Sequence, residues 1–255
     1  MTLTLTALPD IPLIRPGDDL GAILLAALAK AGLFLMDGDV LVLAQKIVSK
    51  AEGRMVNLTQ VTPSPRAIEL AVQVEKDARF VELVLQESLE VLRTRPGTLI
   101  VEHRKGFICA NAGIDHSNVE GSWGNPDDWV LLLPVDADAS AERIRRCVAK
   151  GSSLKLGVMI IDSHGRAWRN GVVGVCIGLA GLPALVDLRG EPDMLGFRLR
   201  ITQVATADEL AAGASLLMGQ TAEGTPAIHV RGFPYPLRES YLGELIRSKE
   251  TDLFR

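Results

Sequence analysis

Four short apolar runs constrain this chain more than any other feature: VLVLA at 40–44, LGVMII at 156–161, VVGVCIGL at 172–179 and AIHV at 227–230. Each is rich in β-branched or other large apolar side chains and too short to give a helix a full apolar face, so each reads as a buried strand. Residues 184–188 read the same way, and 99–102 with 106–109 read as a strand pair. Helical stretches lie between them. Asp18 can cap a helix running to Ala31, with Gly32 as its stop. Residues 64–94 are helical in character and end at Pro96-Gly97, and residues 139–149 form another helix. Thr206-Ala207-Asp208-Glu209 has the form of a capping pattern that opens a helix through Met218.

Residues 1–17 read as extended, broken by Pro9, Pro12 and Pro16, residues 118–128 as a polar loop, 130–134 as a strand, and a helix is expected after Tyr241. Strands and helices mix without strict alternation, which favours an α+β fold over a regular doubly wound sheet. With 255 residues and no repeat or low-complexity linker, residues 1–255 are expected to form a single unit with room for two subdomains.

Charge and cysteine usage exclude several functions. The net charge is −4, from 27 basic and 31 acidic residues, and no basic patch of the kind that neutralises nucleic-acid phosphates is visible. Arg143, Arg145, Arg146 and Lys150 read as a solvated helix face. Cys109, Cys147 and Cys176 are odd in number, far apart and without a CxxC pair, which argues against a disulfide framework or zinc knuckle and fits a reducing cytoplasm. Cys109 and Cys176 lie in apolar runs and read as buried. The most apolar stretches, 20–36 and 171–186, are interrupted by Lys30 and by glycines and Pro183, and fall short of the roughly 20 apolar residues a membrane helix needs. No signal peptide is expected, so the sequon Asn57-Leu58-Thr59 reads as chance.

There is no Walker A loop and no GxGxxG fingerprint. Four other segments carry candidate chemistry. In QKIVSKAEGR, after the first buried strand, Lys46 and Lys50 are four apart, so on a helical turn two ammonium groups face one way and suit a polyphosphate, though on charge alone a solvated surface turn is the plainer reading. ANAGIDHSN places Asp115 and Asn118 three apart in a loop after a strand, within reach of one hard cation or its phosphate, with His116 more simply solvated. In IIDSHGRAWRNG an apolar strand ends in Asp162-Ser163, a costly place for a carboxylate unless it binds something, and Mg2+ or Mn2+ is a natural partner. An Asx-type turn with solvated Arg166 and Arg169 is the plainer alternative. MGQTAEGT, after a helix, is a plausible backbone cradle for a phosphate or base, or a bare helix-end turn.

The order PLIRPGDDL, QKIVSKAEGR, ANAGIDHSN, DSHGRAWRNG, LLMGQTAEG resembles the coenzyme F-420:L-glutamate ligase family, from Ile11 to Gly232. The resemblance implies an α+β fold of mixed sheets with flanking helices in an intertwined homodimer, in the stand-alone form without a flavin-reductase-like domain. It also implies a cytoplasmic enzyme with GTP as co-substrate, two Mg2+ or Mn2+ ions per site and K+ as a further cation. Its partners are L-glutamate and a deazaflavin lactyl-phosphate precursor of F-420, with no nucleic acid and no membrane. The carboxylate becomes an acyl phosphate that the glutamate amine attacks, and later cycles add γ-linked glutamates.

Carried over by position, Ile11, Pro12, Leu13 and Ile14 would touch the guanine nucleotide. Gln45, Lys46 and Lys50 would hold nucleotide or phosphates. Asp115 and Asp162 would share the first metal, Ser163 and Gln220 the second, and Asn118 would meet the nucleotide. Asp115, Asp162 and Lys50 are the residues expected to carry catalysis. Met218, Gly219, Gln220, Thr221, Ala222, Glu223, Gly224 and Thr225 would wrap the nucleotide. Gln220 stands where relatives often carry a carboxylate, Ser163 where they carry threonine, and Gln45-Lys46 where archaeal relatives carry a small hydroxyl pair. The alternatives are a related ligase with another acceptor, a nucleotide- or deazaflavin-binding protein without turnover, and a metal-dependent phosphohydrolase.

Overall fold

A strand covered on both faces needs an apolar side chain at every position, and the unbroken runs are such strands. The computed structural model describes residues 2–119, 121 and 123–253. Its elements are β1 (Thr4–Ala7), α1 (Leu20–Lys30), β2 (Val40–Ala44), α2 (Gln45–Ala51), β3 (Met55–Asn57), α3 (Pro65–Val74), α4 (Ala78–Gln86), β4 (Ser88–Arg95), β5 (Thr98–His103), β6 (Ile108–Ala110), β7 (Trp129–Leu131), α5 (Ala137–Val148), β8 (Gly157–Arg166), β9 (Arg169–Ala180), β10 (Val186–Asp187), β11 (Gln203–Val204), α6 (Thr206–Met218) and β12 (Ala227–Arg231).

Five strands form the central sheet in the order β1-β12-β2-β8-β9, with β2 and β8 parallel and the other neighbours antiparallel. Leu41, Leu43, Val158 and Ile160 pack toward α1 and α5, while the alternate residues Val40, Val42, Met159 and Ile161 pack toward α6. A second core lies between α3, α4 and the sheet β4-β5-β6, around Val81, Val84, Leu99 and Val101. The fold is therefore mixed α and β with several sheets. Among the described residues no helix is long and apolar enough to cross a membrane.

Side chains close the polar edges. The N–H of Cys176 on edge strand β9 donates to Asp208 Oδ1 (2.9 Å) and that of Leu179 to Asp138 Oδ1 (2.8 Å), so the edge is capped rather than open. Burial pushes both carboxyls up, and these N–H donors hold them back. At the other end of the sheet, Asp39 is 1% exposed and accepts from His229 Nε2 (2.8 Å), Arg231 (2.7 Å) and the Met36 N–H (2.9 Å). Burial alone would raise this carboxyl, but the bonds from Arg231, His229 and Met36 outweigh it and hold it below the usual range.

Several expectations change. Asp19, not Asp18, caps α1, accepting from the Ala22 N–H, and Asp18 instead accepts from the Arg15 N–H. Residues 88–95 are strand β4, because the turn at Pro96-Gly97 folds them back along β5. The capping pattern at Thr206 does not form: Ala205 is the cap position, Thr206 Oγ1 donates to Pro183 O, and Asp208 is taken by β9. The run at 184–188 contributes only Val186–Asp187, the strand at 130–134 starts at Trp129 and ends at Leu131, and short 3-10 turns replace the helix after Tyr241. Cys109 and Cys176 are buried, as their apolar runs imply. Asn57 of the sequon is buried too, its Oδ1 accepting from the Thr59 N–H.

Candidate functional site

Strand β2 runs into α2 without a turn, which delivers Gln45, Lys46 and Lys50 to the end of the central sheet. Next to β2, its parallel neighbour β8 brings Asp162 and Ser163 to the same end. From α6 the chain leaves through Gly219, whose φ of 71° and ψ of −175° suit glycine alone. The turn that follows is held by its own side chains: Glu223 accepts from the Thr221 N–H (2.8 Å), and Thr225 Oγ1 donates to Leu217 O (3.1 Å) at the end of α6. The Thr221 N–H, more than any other contact, holds the Glu223 carboxyl below its usual range.

These segments surround one open cavity of about 240 Å³. Its walls include Gln45, Lys46, Lys50, Asn118, Asp162, Ser163, Met218, Gly219, Gln220, Thr221, Glu223, Gly224 and Thr225. Ala222 is outside the lining, and Met218 belongs mostly to the α6 core. Residues 11–14 do not line it either: Ile14 is buried beside α1, Ile11 packs against the same core, and Leu13 is 82% exposed. The walls also include Ser215 and Pro226, polar and backbone positions that no motif marked.

The loop carrying Asp115 is shaped by backbone strain. Asn111, Ala112 and Gly113 take successive left-handed φ values of 51°, 54° and 68°, and a left-handed alanine costs about 1–2 kcal/mol. The turn is fixed by Asn111 Oδ1, which accepts from the Leu99 N–H (3.1 Å), and by the pairing of Asp115 with Leu131. Asp115 itself lies outside the cavity lining, where Lys46 Nζ donates to its Oδ2 (2.7 Å), to Ser117 Oγ (2.7 Å) and to Ser117 O (3.0 Å). Lys50 Nζ donates to Asn118 O (2.7 Å) and Asn118 Nδ2 to Thr221 O (3.5 Å), so the loop is strapped to both α2 and the 219–225 turn. His116 faces away and meets Asp127 O (2.8 Å).

Asp162 does not end its strand. The hairpin β8–β9 continues past it, pairing Asp162 with Val175 and Ser163 with Gly174, and turns only beyond Arg166. The carboxylate is tolerated in the strand because His164, two residues on and on the same face, meets its Oδ2 at 3.0 Å. His164 in turn is flanked by the Phe107 ring (5.6 Å), which stacks on His103 (4.7 Å). Across the cavity Ser163 Oγ donates to Gln220 Oε1 (3.0 Å), joining the two positions expected to serve one metal. Gln45 is 2% exposed, and its Oε1 accepts from Ser49 (2.9 Å) while its Nε2 has no partner among the described residues.

Asp162, Ser163 and Gln220 offer hard oxygen donors of the kind Mg2+ and Mn2+ take together with phosphate and water. Asp162 Oδ1 accepts no hydrogen bond from any described residue, which leaves it for such an ion. Asp115 fits poorly the ion it is expected to share with Asp162, since its Oδ1 accepts from Ser117 N–H and Oγ (each 2.9 Å) and its Oδ2 is held by Lys46. No group of three or more His, Cys, Asp and Glu among the described residues is placed to hold a metal alone.

Residues 10–232 match the model of the family described as F420-0:Gamma-glutamyl ligase. The chain is 44% identical over 257 residues to the coenzyme F420:L-glutamate ligase of Methanothermobacter thermautotrophicus, covering 100% of both chains. It is 44% identical over 259 residues to that of Methanopyrus kandleri, covering 100% of this chain and 98% of the other, and 44% identical over 245 residues to that of Archaeoglobus fulgidus, covering 96% and 93%.

Proposed function

Since the chain belongs to the F420-0:gamma-glutamyl ligase family, we propose that its cavity joins L-glutamate to the glutamate-free precursor of coenzyme F420 at the expense of GTP. The chemistry is that of a ligase forming a carbon–nitrogen amide bond. One observation carries the reading: segments far apart in sequence, at 45–50, 118, 162–163 and 218–225, converge on a single cavity with two ammonium groups, the carboxylates of Asp162 and Glu223, and a glycine turn.

In this reading the precursor's carboxylate oxygen attacks the γ-phosphorus, the bond to the β-phosphate oxygen breaks, and GDP leaves. The amine of L-glutamate then attacks the acyl carbon, inorganic phosphate leaves, and the nitrogen loses a proton to give the amide. No nucleophilic side chain is needed, and positioning of the two reactants supplies much of the rate. Lys50 and the N–H groups of the 219–225 turn hold the polyphosphate, and Lys46 adds positive charge beside it. The unpartnered Nε2 of Gln45 donates to a nucleotide oxygen. Asp162, with Ser163 and Gln220 beside it, would hold a divalent ion, which would offset negative charge on the phosphates.

A homodimer belongs to the same proposal. The excursion between β10 and β11 exposes Met194 (102%), Leu195 (96%) and Ile201 (88%), with Phe197 half exposed beside them, and such a row of apolar side chains is suited to a partner surface. The test is incubation with GTP, Mn2+ or Mg2+, L-glutamate and the precursor, with products read by mass spectrometry. A gain of glutamyl mass is expected, abolished by omitting GTP and reduced at least 100-fold in Asp162→Asn, about 3 kcal/mol of lost charge stabilisation. Product formation without GTP, or undiminished in Asp162→Asn, contradicts the proposal.

A further inference from the structure

Taking the ligase reading as its premise, we infer that Lys46 supplies at Asp115 the positive charge of one of the two divalent cations, so that each site takes a single Mg2+ or Mn2+, at Asp162. An ammonium has three N–H donors, and Lys46 places all three on oxygens: Asp115 Oδ2 (2.7 Å), Ser117 Oγ (2.7 Å) and Ser117 O (3.0 Å). That is an oxygen cage of the type a hard cation takes, already filled by a charge that belongs to the chain. The other oxygen of Asp115 accepts twice from Ser117. A metal entering here must expel the ammonium and break the loop's own bonds.

The opposite wall agrees. Gln220 is neutral, and its Oε1 already accepts from Ser163 Oγ (3.0 Å). With Asp115 balanced by Lys46, Asp162 is the one carboxylate of the expected metal set left to a cation, and Oδ1 is its open oxygen. One carboxylate plus substrate phosphates is an ordinary requirement for a single Mg2+. The position of Lys46 is rigidly set, because α2 starts directly from the buried strand β2. A tethered ammonium also needs no binding equilibrium, so the charge is present before nucleotide arrives.

Equilibrium dialysis tests this directly, with Mn2+ and a GTP analogue carrying a non-hydrolysable β–γ bridge, counting manganese and guanine bound per protomer. The wild-type chain is expected to hold one Mn2+ per bound nucleotide. Lys46→Ser opens the cage and is expected to raise the ratio to two. Two Mn2+ per nucleotide on the wild-type chain, or a ratio unchanged in Lys46→Ser, overturns the inference and leaves the ligase reading standing. A wild-type chain that binds no nucleotide overturns both. The wild-type ratio decides the matter even if the variant loses nucleotide, and circular dichroism reports whether the variant keeps its fold.

Discussion

Substituting Gly219 with alanine tests whether the turn after α6 is the nucleotide-binding element. At φ 71° and ψ −175° the residue occupies a region open to glycine, and a non-glycine residue held there costs about 1–3 kcal/mol. The new Cβ would also collide with Cγ and Cδ of Glu223, whose carboxylate holds the Thr221 N–H. The turn is exposed, so the strain is relieved by refolding it rather than by unfolding the sheet. If the turn binds nucleotide, that energy appears as a loss of affinity of roughly 5- to 150-fold. Calorimetric titration with a GTP analogue and Mg2+ measures it, and thermal melting should change little. Gly224→Ala is the control: its φ is +68° but its Cβ meets nothing, so a smaller loss of roughly 5- to 30-fold is expected from about 1–2 kcal/mol of strain. Unchanged affinity and unchanged melting in Gly219→Ala would refute the reasoning, as would a larger loss in Gly224→Ala.

Other outcomes follow from the folded charges. His103 is buried and its pKa falls to about 4, chiefly through burial and then through His164 and Lys105. As pH drops below 6.5 the unfolded chain takes this proton first, so stability should decline between about pH 6.5 and 4, by about 3 kcal/mol at most, and His103→Phe should flatten that part of a denaturation profile. Asp39→Ala leaves His229, Arg231 and the Met36 N–H without their acceptor and should destabilise by about 3–5 kcal/mol, read from urea unfolding. The same Asp39 carboxyl, lowered on balance, contributes stability above its unfolded pKa of about 3.9 that is lost as pH falls through its folded value. Burial pushes the Cys109 thiol up to about 12 and the Cys176 thiol well above its ordinary value, so a thiol reagent should modify only the partly exposed Cys147 in the native protein and all three in denaturant.

The sequence made the sheet legible because buried strands write every position in apolar residues, as in 40–44 and 156–161. It also marked the cavity's walls, since loops that leave buried strands carry the polar residues. What it left open was decided at a distance. Residues 88–94 continue the stretch 64–94 that reads as helical, yet pairing with β5 makes them a strand. The Thr206 pattern has the letters of a cap, but Asp208 is drawn to the bare edge of β9. Asp162 looked like a strand tip because apolar residues stop there, whereas β9 and His164 carry the strand onward. Lys46 and Asp115 are 69 positions apart, and no local pattern could announce that they pair. Ile14 is apolar in a proline-rich segment, which suits a core position beside α1 as well as a nucleotide contact.

The most direct test of the central claim is a count of GDP released against glutamyl units added, in one reaction with precursor, L-glutamate, GTP and Mn2+. A ligase site predicts one GDP for each amide formed, and negligible GDP when either L-glutamate or precursor is withheld. GDP released at an undiminished rate without L-glutamate and without glutamyl product would contradict the account and make the cavity that of a phosphohydrolase.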